Sequence, residues 1–120
     1  MKIFKVLALS LLILGLIFSV AFAKKHLPEE RGKALFDEPK FAGGTKPCNS
    51  CHPDGKGLEK AADKKEFNIM GKVQKSLEEA VNVCIINANR GKAIDIKSEQ
   101  MKDIVAYIKS LKGKTKTPKK

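Results

Sequence analysis

The sequence predicts an all-α domain behind a removable leader. Three observations carry this reading. Ser76 and Ser98 each stand where a helix would start, with acidic residues close behind. The apolar residues that follow each serine recur at three- and four-residue spacing. No stretch alternates with period two for long enough to be a strand.

The leader comes first. Lys2 and Lys5 precede an almost wholly apolar run from Val6, which closes on Ala21-Phe22-Ala23. This is the layout of a secretory signal peptide. The run from Val6 to Ala23 is 18 residues, near the minimum for a spanning helix, so an uncleaved leader would anchor the protein. The small-x-small end and the following Lys24-Lys25 favour cleavage. No cysteine follows the run, so a lipoprotein anchor is excluded. Cleavage after Ala23 takes Lys2 and Lys5 from the chain's net charge of +11, leaving 97 residues that carry +9. A periplasmic protein is expected, membrane-bound only if the leader stays. The predicted organisation is a leader over 1–23, one domain over 24–112 and a basic tail over 113–120.

Within the domain, Pro28 to Phe36 reads as the first helix, with Glu29 and Glu30 in its first turn and Pro39 beyond its end. Residues 40–47 and 53–66 read as loops, the second with a short helical turn at Leu58 to Ala62. Ser76 opens the next helix, with Glu79 placed for a capping box and Leu77, Val81, Cys84 and Ile85 forming one stripe. Gly91 ends or interrupts it. Ser98 caps the last helix, whose apolar side is Met101, Ile104, Val105, Ile108 and Leu111. Residues 109–120 contain six lysines, and the tail is expected to be disordered.

Composition limits the function. One small domain excludes a multidomain enzyme, a coiled coil, a collagen-like repeat and a polytopic membrane protein. Export makes nucleic acid an unexpected partner. Phe36, Phe41, Phe67 and Tyr107 are the only aromatics after the leader, so the core is thin and would gain from a buried cofactor or metal. Three cysteines are an odd number, which argues against a disulfide framework.

Their spacing is informative. Cys48-Asn49-Ser50-Cys51-His52 is C-x-x-C-H, which in an exported chain reads as the attachment site of one c-type haem. Two thiols separated by two residues reach the two vinyl groups on one side of the porphyrin. The adjacent histidine then presents its imidazole to the iron. Two other chemistries use similar residues. A redox dithiol would need a βαβ setting and has no use for His52. A zinc site would take Cys48, Cys51, His52 and either Cys84 or His26, without the second close pair such sites usually show.

Gly32-Lys33-Ala34-Leu35-Phe36, then Cys48 to His52, then Ile104 to Leu111 resemble, in that order, a class I c-type cytochrome. The resemblance covers nearly the whole mature chain. It implies a small helical fold packed around one covalent haem, with Cys48 and Cys51 as attachment points and His52 as proximal ligand. It also implies that the first and last helices cross near Gly32 and Tyr107. Pro53 departs from the glycine common after the haem-binding histidine, so the proximal loop is expected to run differently.

The same family usually supplies a distal Met from the loop before the last helix. Here Ala88 to Ile96 contains no Met, His or Cys. The remaining candidates are Cys84, Met101, Met70, His26 and an exposed lysine such as Lys92. Met101 also reads as core packing, Met70 as pocket lining and His26 as solvated. Val81 to Cys84, Gly91 to Ile94, Ser98, Met101 and Ala106-Tyr107 are similar to the first haem domain of thiosulfate dehydrogenases. They are similar as well, more weakly, to the Cys-ligated haem subunit of sulfur-oxidising cytochrome complexes. That likeness implies a Cys84 thiolate on the iron, while a buried free Cys is also an ordinary small hydrophobe.

Two functions follow as expectations. One is electron transfer between periplasmic partners, with the positive charge steering toward acidic patches. The other is a haem subunit in thiosulfate-type oxidation. The dehydrogenases it resembles carry two haems and this chain has one C-x-x-C-H, so an enzyme would need a second subunit.

Overall fold

The computed structural model describes residues 26–114. The expected signal peptide and residues 115–120 of the expected disordered tail lie outside the described residues. Three helices stand among them: α1 Pro28–Asp37, α2 Leu77–Asn87 and α3 Glu99–Ser110. None is long and apolar enough to cross a membrane.

Each helix starts for a local reason. Pro28 opens α1, and the Glu30 carboxylate reaches back to accept the Leu27 N–H at 3.2 Å. The extended Glu38, held by the following Pro39, stops it. Ser76 Oγ accepts the Glu79 N–H at 3.1 Å at the head of α2. The Glu79 carboxylate accepts from Lys75 N rather than from the cap residue itself. Ser98 Oγ accepts the Met101 N–H at 3.2 Å and starts α3.

α1 packs chiefly against α3. The crossing point is Gly32, where a Cβ would overlap the Asp103 carbonyl oxygen and come within 2.9 Å of Tyr107 Cβ. Beside it the Arg31 guanidinium forks onto the buried Asp103 carboxylate, donating from Nε at 2.8 Å and from Nη2 at 2.7 Å. One turn on, Phe36 meets Tyr107 edge-on with ring centroids 5.1 Å apart. The crossing expected near Gly32 and Tyr107 is therefore present.

The main core lies between α2 and α3. Val81 and Ile85 pack on Met101, Ile104, Val105 and Ile108, with Phe41 and Ala61 supplied by the loops between α1 and α2. A smaller cluster of Phe36, Tyr107 and Leu111 holds Cys48 and Leu58 against it.

Two details differ from the sequence reading. The sequence pattern predicts no strand anywhere, yet β1 Phe67–Ile69 and β2 Lys72–Gln74 form a small antiparallel hairpin, Phe67 opposite Gln74. Three residues per strand is too short for an alternation to register. The tight turn has φ of 54° at Met70 and 77° at Gly71, and a methionine in the first place hides the usual Asn-Gly signal. The end of α2 also differs. The helix stops at Asn87, and Arg90, not Gly91, takes the left-handed conformation. Gly91 is needed for space, since a Cβ there would come within 2.9 Å of the Ala42 carbonyl oxygen.

These glycines predict contrasting stabilities. A Gly-to-Ala change inside a helix normally gains about 1 kcal/mol. At Gly32 the overlap is with backbone, so Gly32→Ala should instead lose about 2–3 kcal/mol, as overpacking does. Gly71 has nothing within 4 Å, so Gly71→Ala should cost only the left-handed backbone, about 1 kcal/mol. Guanidinium midpoints of the matured protein measure both. A Gly32→Ala protein as stable as the parent would contradict the close crossing.

Candidate cofactor site

The C-x-x-C-H segment folds as a tight turn. Cys48–Ser50 forms a single 3-10 turn, and the His52 N–H donates to the Cys48 carbonyl at 3.0 Å. Pro53–Gly55 makes the next turn, closed by Gly55 N donating to the His52 carbonyl at 2.8 Å. Asp54 is left-handed within it, and its N–H is taken by the Asn49 side-chain oxygen at 2.8 Å. Pro53 thus redirects the chain after His52, and the glycine need moves to Gly55. A Cβ there would overlap the Leu111 side chain.

His52 is oriented by its own loop. Its Nδ1 lies 3.0 Å from the Lys56 carbonyl oxygen. A carbonyl only accepts, so this contact places the proton on Nδ1 and leaves the Nε2 lone pair for another partner. That is the arrangement a metal-ligating histidine requires.

His52 lines a cleft of about 690 Å³, counting its open mouth. Phe36, Leu58, Phe67, Ile69, Leu77, Val81, Ile104 and Ile108 supply apolar wall, and Lys60 and Lys64 stand on the rim. Cys48 and Cys84 line the same cleft. Cys51 is exposed. The walls would take a flat apolar ring, the Cys48 thiol of the motif lines the cleft, and His52 and Cys84 put one nitrogen and one further sulfur donor among its walls. These residues fit a covalent haem.

The thiols differ in environment. Burial raises the Cys84 thiol's pKa, and negative charge on Cys48 or Cys51 would raise it further. Burial also raises that of Cys48, opposed by a hydrogen bond from Asn89. A thiolate at Cys84 therefore needs a cation beside it.

The other sequence candidates lie elsewhere. Met101 is fully buried in the core. Met70 is 75 % exposed at the hairpin tip. His26 is exposed near the start of α1, 3.3 Å from Glu30. Lys92 follows Gly91 in the loop after α2, its N–H on the Ala42 carbonyl. None of the four lines the cleft. No group of three or more His, Cys, Asp or Glu gathers as a metal site among the described residues.

One residue escaped the sequence reading. Asn89 is 4 % exposed, and its Nδ2 donates to Cys48 Sγ at 3.2 Å. An asparagine just past a helix end reads as a cap or turn residue. Nothing local announces a contact 41 residues back.

Comparison with known proteins identifies the family. The family model described as SoxA/TsdA, cytochrome c domain, matches residues 31–116. No curated protein and no solved structure matches the chain. The matched span takes in the Gly32 crossing, the Cys48–His52 turn, Cys84 and α3. A cytochrome c domain implies covalently bound haem c and a role in electron transfer. With most of its length matched, the chain belongs to the SoxA/TsdA cytochrome c domain family.

Proposed function

We propose that this is a periplasmic electron-transfer cytochrome carrying one haem c. Cys48 and Cys51 hold the haem through thioethers, His52 is the proximal ligand and Cys84 the distal one. The observation that carries this reading is the cleft itself. His52, with Nε2 unencumbered, lines it together with Cys48 and Cys84, while Met70 and Met101 do not.

The bound haem would supply a one-electron iron couple. The chain's residues set its properties. Lys56 fixes the His52 tautomer through its carbonyl. The apolar walls lower the local dielectric and exclude water. Cys84, whose neutral thiol is favoured in this buried place, becomes a thiolate only against a positive centre, and ferric iron is one. A thiolate at Cys84 would donate charge and favour the ferric state, which would lower the reduction potential. Lys60 and Lys64 put positive charge at the cleft mouth, where an acidic redox partner would approach. Export rests on the Met1 to Ala23 leader pattern.

A second reading is a haem subunit in sulfur-compound oxidation, favoured by the SoxA/TsdA family match. With one C-x-x-C-H, this chain would need a partner subunit for such catalysis. Thiosulfate turnover with an artificial acceptor, with and without a second haem subunit, separates the two. Turnover only in the pair supports the subunit reading, and none in either leaves the carrier.

Three outcomes follow from the carrier reading. The intact mass of the matured chain should exceed that of the polypeptide by one haem; a second haem would refute the count. Cys84→Ala should raise the reduction potential by on the order of 0.1 V, a fraction of the roughly 0.8 V that axial ligands span. An unchanged potential in redox titration would remove Cys84 from the iron. Electron transfer to an anionic acceptor should slow as ionic strength rises, and a salt-independent stopped-flow rate would remove the steering role of the lysines.

A further inference from the structure

We propose that Asn89 is a positioning residue that ties Cys48 to the Cys84 end of α2 and so fixes the distal ligand over the cleft. The proposal rests on Cys84 being that ligand.

Asn89 is one of two buried polar or charged residues described, the other being Asp103. Three of its polar groups are engaged, two with the Thr45–Cys48 segment and one with α2. Its side-chain Nδ2 donates to Cys48 Sγ at 3.2 Å. Its backbone N–H donates to the Cys84 carbonyl at 3.1 Å. Its carbonyl accepts from Thr45 N at 2.8 Å. One residue thus bonds directly to both cysteines that line the cleft.

The surroundings hold it there. Lys92 N donates to the Ala42 carbonyl at 2.9 Å, which stitches the loop after α2 to the loop before Cys48. Gly44 sits so close that a Cβ would come within 2.8 Å of the Asn89 carbonyl oxygen. Ala42 and Arg90, on the two stitched loops, are left-handed, a conformation few non-glycine residues adopt. A chain that takes up two such residues around one contact is held by tertiary bonds there.

The bond is compatible with attachment. A thioether sulfur keeps its lone pairs and remains a weak acceptor, as in methionine. The Asn89 N–H therefore keeps a partner when Cys48 carries the cofactor. Removing the donor would leave the end of α2 joined to the Cys48 segment only through backbone bonds of the loops. Cys84 would then leave the iron more easily.

The test is the rate at which cyanide displaces the distal ligand in the full-length, periplasmically matured ferric protein. The wild type should exchange slowly and Cys84→Ala fast. Asn89→Leu keeps the branched shape of the side chain but loses the donor, and should exchange about tenfold faster than wild type, the factor one net hydrogen bond supplies. Asn89→Ala serves if the leucine variant does not fold. Ile85→Val, on the same helix, should lower the unfolding midpoint without changing the exchange rate. Pyridine-haemochrome spectra confirm that each protein keeps both thioethers. Slow exchange in the Asn89 variants, beside fast exchange in Cys84→Ala, overturns the positioning role alone. Equal rates in wild type and Cys84→Ala overturn Cys84 ligation, and this inference with it. A rise in Ile85→Val equal to that in Asn89→Leu reduces Asn89 to ordinary packing and also overturns the proposal.

Discussion

The backbone contact between Gly32 and the Asp103 carbonyl sets the geometry of everything else. Only glycine lets α1 approach α3 so closely. That approach brings Arg31 onto Asp103 and Phe36 onto Tyr107. Asp103 is 6 % exposed, and a carboxylate taken so far from water needs its bidentate partner. The pair therefore fixes the helices' rotation as well as their distance. Phe36, once held against Tyr107, becomes a wall of the cleft and a support for Cys48.

The cleft is built around this frame by loops rather than by helices alone. One wall is a run of tight turns that gives His52 its orientation through the Lys56 carbonyl. Another wall is α2, which presents Val81 and Cys84. Asn82 pins the loop ahead of α3, accepting from Ile94 N at 2.9 Å and donating to the Ile94 carbonyl at 2.8 Å. A small chain with few aromatics gains much of its buried apolar surface only when the cleft is filled, so cofactor and fold support one another. Lys60 and Lys64 leave positive charge on the rim of the cleft.

What the sequence made legible was local. Ser76 and Ser98 announce their helices because a cap needs only the next three residues. The C-x-x-C-H spacing announces its chemistry because both thiols and the histidine lie within five residues. Gly32 and Tyr107 could be paired only through family resemblance, since the crossing joins opposite ends of the domain. The hairpin escaped because each strand is three residues and its turn is Met-Gly. Asn89 escaped because its meaning lies in a contact with Cys48, far back along the chain. The distal candidates could not be ranked by type. Their positions separate them: Met101 is inside the core, Met70 is at the hairpin tip, and Cys84 is on the cleft.

The central claim is that a cysteine thiolate from α2 faces His52 across the bound cofactor. Low-temperature EPR of the oxidised, matured wild-type protein tests it most directly. The account predicts a low-spin ferric signal with the narrow spread of g values that a thiolate ligand gives. A broad His/Met-type signal, or a high-spin signal from an open position, would contradict it and return Cys84 to the role of a packing residue.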